Sequence, residues 1–284
     1  MLGASLSFTV MVTLVKLVRE DLTAFEIIAW RTVVSLPLAW SVARSAGLVV
    51  TDVRTLVARC LLGFSAMVCF FTAAKGLPVT DLALVSKLQP VAIAVIAPLL
   101  LGAGERPGPR VFATLVLGML GCAVLLGPDL GVGPVPQEVR LSFGLVAVAG
   151  ALFSATAHTM VRKLGATEHP TTVVFWFQAA VLPLSLIGVV VSGVTPTLPS
   201  LLQLAQLAGI GVFATLGQLW MTRAYQLDRA ARVAAVSYAQ PVFAVAIDVV
   251  AFSVWPGPNA WVGGALVVVA GLALLVHRED ETPA

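Results

Sequence analysis

Charged side chains are scarce in this sequence. Aspartate, glutamate, lysine and arginine together make up 11% of its 284 residues, against roughly 25% in soluble globular domains. A soluble protein of this size could not cover its surface with so few charges, whereas a surface that faces lipid tails needs none. The shortage therefore excludes an ordinary soluble domain and predicts an integral membrane protein.

Several chemical motifs are also missing. The sequence has no His-Glu-x-x-His motif, no phosphate-binding loop and no serine nucleophile elbow, so neither a membrane protease nor an ATP-driven pump is supported. Its three cysteines, Cys60, Cys69 and Cys122, lie in apolar segments without metal or disulfide spacing. The bases are scattered and form no nucleic-acid-binding patch. We therefore expect a protein that is not an enzyme and that uses no cofactor, no metal and no nucleic acid.

Apolar stretches of membrane-spanning length dominate what is present. They cover residues 2–18, 25–43, 57–75, 80–101, 110–127, 142–162, 171–192, 201–223, 233–254 and 260–276. Each must be a helix, because backbone groups inside lipid have to pair within their own segment. The first stretch returns after a short loop, so we interpret it as a span and not as a cleaved signal peptide. The predicted fold is an all-α integral membrane protein with ten transmembrane helices.

Lysine and arginine are enriched in the cytoplasmic loops of membrane proteins, which predicts an orientation. If the N-terminus is cytoplasmic, the outer connections hold four of these bases, Lys16, Arg19, Lys75 and Arg140. The inner connections then hold eleven, namely Arg44, Arg54, Arg59, Arg106, Arg110, Arg162, Lys163, Arg223, Arg229, Arg232 and Arg278. We therefore expect both termini to be cytoplasmic.

The sequence contains a weak internal repeat. A displacement of 146 residues brings Trp30 onto Trp176, and one of 151 brings Gln89-Pro90-Val91 onto Gln240-Pro241-Val242. The matches predict two halves, residues 1–135 and 136–284, with five helices each. Because five is odd, the second half must cross the membrane in the opposite sense. Inverted repeats are typical of secondary transporters, whose substrate site lies near the midplane between the halves.

Together these features resemble the drug/metabolite transporter superfamily. The resemblance depends on the five-plus-five arrangement, on Gly104-Glu105-Arg106-Pro107 after the fourth stretch and on the paired Gln-Pro-Val triplets. Over nearly its whole length the chain is similar to ten-helix exporters with two EamA-type repeats, although Trp255-Pro256-Gly257 replaces the second Gly-Glu. The resemblance implies an inner-membrane exporter. It also implies that stretches one, two, six and seven move around three, four, eight and nine.

Three ionisable residues fall inside apolar stretches, where charge is costly and is therefore a candidate functional feature. Arg31, Lys87 and Asp248 lie at similar predicted depth below the outer face. One interpretation is a structural ion pair of Asp248 with either base. Another is a clamp that holds the carboxylate and the ammonium of an amino acid. A third is that the long basic side chains extend to the outer interface.

Helical spacing adds further candidates around these charges. It places Tyr238, Pro241 and Asp248 on one face of the ninth stretch, and Lys87 and Pro90 on the matching face of the fourth. The remaining cavity candidates are polar or aromatic residues elsewhere in the stretches: Gln89, His158, Trp176, Gln178, Gln218 and Gln240. Packing kinks at the prolines, hydrogen bonds between helices and an interfacial tryptophan are the simpler interpretations.

These observations predict a secondary transporter that exports, or facilitates the diffusion of, amino acids or similar small metabolites by alternating access. Its partners would be a small-molecule substrate and the lipid bilayer, and a monomer is compatible with the sequence. The alternative is proton-coupled efflux of drugs or organic cations, with Asp248 as the proton carrier. The first stretch has no carboxylate, whereas the small multidrug pumps of the superfamily use one there, which argues against the alternative.

Overall fold

The computed structural model describes residues 1–18, 22–73, 85–126, 137–193, 198–252 and 257–276. Five residues named above lie outside these ranges: Arg19, Lys75, Trp255, Pro256 and Arg278. The side chains of Lys16, Arg140 and Asp248 are also outside the description.

The described chain is helical and contains no β-strand, which confirms the predicted all-α fold for these residues. The helices are α1 (Leu2–Val18), α2 (Ala24–Ala43), α3 (Val53–Ala73), α4 (Leu88–Leu101), α5 (Pro109–Leu126), α6 (Gln137–Leu164), α7 (Pro170–Val191), α8 (Leu201–Leu227), α9 (Ala230–Ala235), α10 (Ala239–Phe252) and α11 (Pro258–Val276). Two short 3₁₀ helices lie at Ala103–Glu105 and Val236–Tyr238, and the latter joins α9 to α10.

Six helical segments are long and apolar enough to cross a membrane. These are Ala24–Ala43, Val53–Ala73, Leu141–Leu164, Pro170–Val191, Leu201–Leu227 and Ala230–Ile247. Four shorter apolar helices accompany them in the described residues: Leu2–Val15, Leu88–Leu101, Pro109–Val124 and Trp261–Ala270. Large apolar side chains such as Leu99 and Val190 face outward, as a lipid-facing surface requires. The protein is therefore a multi-pass membrane protein, and the crossing by all ten stretches stays a prediction.

The start of α3 corrects one sequence-based assignment. Asp52 precedes the helix, and its carboxylate accepts hydrogen bonds from the backbone N–H and the hydroxyl of Thr55, at 3.0 and 2.6 Å. Such capping satisfies N–H groups that have no partner in the first helical turn. The helix therefore begins at Val53, and Arg59 lies nearly two turns inside it. Counting Arg59 with the residues of the inner connections was wrong.

Helices from the two halves pack in a symmetrical pattern. The main pairs are α1 with α8, α3 with α6, α2 with α7, and α5 with α11. In chain order, α1 corresponds to α6, α2 to α7, α3 to α8 and α5 to α11. Exchanging each helix for its counterpart therefore turns the pair α1–α8 into α6–α3, and it leaves the pairs α2–α7 and α5–α11 unchanged. This pattern is expected of halves related by a twofold axis and supports the predicted repeat. That the halves have opposite senses across the membrane stays a prediction.

The fourth and ninth stretches are both interrupted just before a proline. Residues 85–86 are helical, Lys87 forms a turn, and Pro90 is the third residue of α4. In the ninth stretch the 3₁₀ helix Val236–Tyr238 interrupts the path, and Pro241 is the third residue of α10. Proline has no N–H and is tolerated in a first helical turn, but it disrupts a helix interior. Both prolines are buried.

Candidate functional site

The interruptions of the fourth and ninth stretches contact each other. The ammonium of Lys87 donates a hydrogen bond to Oε1 of Gln240 at 2.6 Å. The hydroxyl of Tyr238 donates to the carbonyl oxygen of Lys87 at 3.3 Å. Lys87 and Tyr238 are both buried. Three residues predicted from the sequence thus join the two halves, while the predicted ion pair with Asp248 stays a prediction because that carboxylate is outside the description.

His158 connects three helices in the interior. Its Nδ1 is hydrogen-bonded to the side-chain amide of Gln89 on α4, and the hydroxyl of Ser154 lies 3.5 Å from the same nitrogen. The imidazole stacks on Tyr225 of α8, with ring centroids 5.0 Å apart. His158 therefore forms a hydrogen bond between helices, which was the simpler interpretation of this residue from the sequence.

Arg59, which the sequence analysis did not place in the interior, lies between α3, α7 and α8. Its guanidinium carbon is 4.1 Å from the centroid of the Phe177 ring, and Nη2 donates to Oε1 of Gln218 at 3.2 Å. Only 3% of the residue is exposed. Gly63, one turn further along α3, leaves the space that the guanidinium fills, because a Cβ there would collide with Nη1 and lie 2.9 Å from Phe177.

Several buried polar atoms on α3, α7 and α8 have no hydrogen-bond partner among the described residues. They are Nε of Arg59, the hydroxyls of Thr222 and Tyr225 and both side-chain amide atoms of Gln178. Gln218, Thr222 and Tyr225 lie on one face of α8, at spacings of four and three residues. Buried polar groups are almost always hydrogen-bonded, so these atoms are candidates for ligand contacts.

Arg31 lies in a second region, nearer the predicted outer side. Its Nη2 is 3.0 Å from the sulfur of Met67, and its buried Nε has no partner. Met67 follows Arg59 by eight residues on α3, a rise of about 12 Å along the helix. One turn further, a cavity of about 160 Å³ is lined by residues that include Ile28 and Phe71. The two arginines thus lie at successive depths below this cavity.

Trp176 does not belong to the interior cluster. It is 39% exposed, and its indole N–H donates to the carbonyl of Leu48 at 2.9 Å. Thr172, one turn earlier on α7, donates to the carbonyl of Gly47 at 2.8 Å. Trp176 therefore attaches α7 to the connection between α2 and α3, and its place in a cavity wall stays a prediction.

Charged residues form a network at the predicted cytoplasmic end of the bundle. Oε1 of Glu105 pairs with Nε of Arg162 at 2.8 Å, and Oε2 accepts from the backbone N–H of Ala230 at 2.8 Å. Arg162 also donates to the carbonyl of Gln226 at 3.0 Å. The sequence analysis used Glu105 only as part of a family motif, and the structure gives it a role in joining α6 to the start of α9.

Glu168 extends the network to the other connections at this end. Its carboxylate accepts from the backbone N–H groups of Thr51 and Asp52, at 2.7 and 2.8 Å. The ammonium of Lys163 lies 4.0 Å from the carboxylate of Asp52, and Gln226 donates to the carbonyl of Glu168 at 3.3 Å. The connections that follow α2, α4, α6 and α8 are thereby held together, so this end of the bundle is closed.

Comparison with known proteins gives relatives that are membrane transporters. The pseudopaline exporter of Pseudomonas aeruginosa is 30% identical over 95% of this chain and 93% of its own length. Human solute carrier family 35 member G1 is 26% identical over 88% of this chain and 71% of its own. A riboflavin transporter of Rhizobium johnstonii is 26% identical over 72% of this chain and 68% of its own.

A structural comparison and a family match agree with the similarity to these transporters. A solved crystal structure superposes with a TM-score of 0.84, covering 98% of this chain and 97% of its own at 20% identity, which shows a shared fold. The EamA-like transporter family matches two segments, residues 1–127 and 142–276, one in each predicted half. The paired Gln-Pro-Val triplets and the Gly-Glu-Arg-Pro run predicted this result. The chain belongs to the EamA-like transporter family.

Proposed function

We propose that this protein is a secondary transporter that exports, or facilitates the diffusion of, amino acids or similar small metabolites by alternating access. The observation that carries the proposal is the buried polar contact between the halves, where Lys87 binds Gln240 and Tyr238 at two interrupted helices. Interrupted helices at the repeat interface are where secondary transporters bind their substrates.

The network at the predicted cytoplasmic end supports a closed gate. The pairs Glu105–Arg162 and Asp52–Lys163 each join α6 to a connection next to α4 or α3. In the family pattern α6 is one of the moving helices, whereas α3 and α4 belong to the core. Opening this end would therefore break both ion pairs and return their charges to water.

The described interior disfavours the alternative of organic-cation efflux. Its buried ionisable groups include Arg31, Arg59 and Lys87, and no described carboxylate contacts any of them. An organic cation entering this region would meet positive charge in a medium of low dielectric constant, where repulsion is strong. Small metabolites with a carboxylate fit this environment better.

Transport by purified protein in proteoliposomes tests the function. We expect labelled amino acids or other small carboxylates to cross the membrane faster than in protein-free vesicles, and organic cations not to do so. A parallel assay with an imposed pH gradient tests proton coupling. Faster flux of tetraphenylphosphonium than of every metabolite would overturn the proposal in favour of cation efflux.

A cross-link across the closed end tests alternating access. Asp52→Cys and Lys163→Cys in a background with the three native cysteines replaced place two thiols where an ion pair now lies. A short bifunctional thiol reagent should stop flux, and each single-cysteine variant treated in the same way should retain it. Undiminished flux in the cross-linked protein would show that this end does not have to open.

A further inference from the structure

We propose that Arg59 is the deep carboxylate-binding residue of the transport path, so that the exported metabolite is a net anion with more carboxylate than ammonium groups. The inference deepens the proposed function and rests on it for the claim that the bound metabolite is transported. The binding site itself is argued from contacts that do not require transport.

The first argument is that three buried bases contact neutral groups among the described residues. Arg31, Arg59 and Lys87 are each 7% exposed or less, and the groups they contact in the described residues are neutral: a sulfur, an amide oxygen and an aromatic ring. The ion pairs between described residues lie elsewhere, at the predicted cytoplasmic end. A charge without a partner inside a membrane protein is costly and marks a substrate or ion pathway by default.

The second argument is the unused hydrogen-bonding capacity around Arg59. A guanidinium has five N–H donors, and in the described structure one of them has an acceptor, the amide of Gln218. Nε is buried without a partner, as are the hydroxyls of Thr222 and Tyr225 on the same face of α8 as Gln218. A guanidinium and hydroxyl groups both donate hydrogen bonds to carboxylate oxygens.

The third argument is that the side chain is held in position before any ligand arrives. Phe177 stacks against the guanidinium, Gly63 leaves the space for it, and Gln218 fixes one nitrogen. A planar guanidinium in a fixed orientation presents two parallel N–H groups, the geometry that matches a carboxylate. Arg31 contacts Met67, eight residues after Arg59 on α3, and is positioned to meet a second carboxylate or an incoming anion.

The test measures ligand binding and transport separately. Succinate, glutamate, leucine, lysine and tetraphenylphosphonium are each added to detergent-purified protein, and the melting temperature is followed, with flux into proteoliposomes measured in parallel. We expect succinate and glutamate to raise the melting temperature and to compete with each other, and lysine and tetraphenylphosphonium to have no effect. Binding of the anions should weaken at least tenfold in Arg59→Gln.

The matched control is Arg54→Gln, the same substitution on an exposed residue five positions earlier on α3. It should leave anion binding as in the wild type. Two further variants guard against a folding defect. Arg59→Met should lower the melting temperature of the empty protein no more than Lys87→Met does, because it removes an unpaired buried charge and leaves only the amide oxygen of Gln218 without its donor. Gly63→Ala should displace the guanidinium and weaken anion binding although the charge remains.

The outcomes separate this inference from the proposed function. A loss of melting temperature in Arg59→Met as large as in Glu105→Ala would show that Arg59 is structural and would overturn the inference. The inference would also be overturned if leucine or a cation bound as tightly as succinate both in the wild type and in Arg59→Gln. The same holds if no probe produced an anion-specific change in melting temperature. If succinate binds through Arg59 but no probe crosses the membrane, the site is supported and the transport proposal fails.

Discussion

The closed end of the bundle and its interior use charge in opposite ways. At the closed end, Glu105 and Arg162 form an ion pair, and Glu168 accepts two backbone N–H groups. In the interior, Arg31 meets a sulfur and Arg59 meets an amide and an aromatic ring. Glu105 and Glu168 are buried, as are the two arginines, so the two regions differ in how charge is paired and not in how deeply it is buried.

This difference separates charges that support the fold from charges available to a ligand. A charge that loses its only partner is destabilising, so paired residues should be sensitive to substitution of either member. A buried charge without a partner already costs stability, so its removal should be neutral or favourable, as is common for binding residues. Substitutions at the closed end should therefore lower stability more than substitutions of the interior bases.

The largest effect on stability is expected for Glu105→Ala. The change leaves Arg162 without its carboxylate and the N–H of Ala230 without an acceptor. We expect the free energy of unfolding to fall by about 2–3 kcal/mol, measured by denaturant titration or thermal shift in detergent. Glu105→Gln, which can still accept from Ala230, should lose less. Wild-type stability in Glu105→Ala would contradict the structural role of the network.

An intermediate effect is expected for Lys87→Met. The change leaves the amide oxygen of Gln240 without its donor, a loss of about 1 kcal/mol, and the thermal shift of the variant measures it. Replacing Gln240 by leucine as well should restore much of that loss, because neither polar group then remains unpaired. Equal stability of the single and double variants would contradict the contact.

The same experiment includes Asp248. If Asp248 and Lys87 form the ion pair predicted from the sequence, Asp248→Asn alone should destabilise the protein more than the combination of Asp248→Asn with Lys87→Met. If Asp248 instead holds substrate, the single change should leave the melting temperature unchanged and reduce flux.

A smaller effect is expected for Arg31→Met. Among the described residues its guanidinium has one hydrogen-bonding contact, the sulfur of Met67, so we expect a change of about 0.5 kcal/mol or less, or a gain in stability. The thermal shift of the empty protein measures this, and Arg44→Met, at the exposed residue that directly follows α2, is the control. A loss comparable to that of Glu105→Ala would remove the distinction between the two regions.

The smallest effect is expected from titrating Asp52. Hydrogen bonds from Thr55 lower the pKa of this carboxyl below its usual value. Because the folded pKa is below the unfolded value of about 3.9, the stabilisation is complete above that pH and is lost as pH falls through the folded pKa. The stability difference between wild type and Asp52→Ala should therefore shrink below about pH 4. A difference that is constant with pH would contradict the cap.

The sequence predicted the features that follow from hydropathy and from local backbone chemistry. Apolar composition predicted the helices, and Pro90 and Pro241 marked two stretches that are interrupted in the structure. Arg59 was missed because the sequence analysis assigned it to an inner connection on account of its positive charge and did not locate the start of the helix. Asp52 was the signal that could have corrected it, since an aspartate before an apolar segment is a preferred N-cap.

The contacts of the interior could not be predicted in the same way. In a soluble helix a polar face opposes an apolar one and fixes the rotation of the helix. Here both the lipid-facing and the protein-facing sides are apolar, so periodicity did not show that His158 stacks on Tyr225 or that Trp176 faces outward. Tertiary packing alone decides those orientations.

The attachment of α7 to the connection after α2 has a consequence for sequence variation. Thr172 and Trp176 donate to the carbonyl groups of Gly47 and Leu48, which every amino acid possesses. Substitutions of Leu48 should therefore be tolerated as long as the backbone path is kept, whereas deleting a single residue would move both acceptors out of reach. Gly47 is the exception to this tolerance, because its φ of 91° lies in the left-handed region that favours glycine. In this segment chain length is constrained and, apart from Gly47, side-chain identity is largely free.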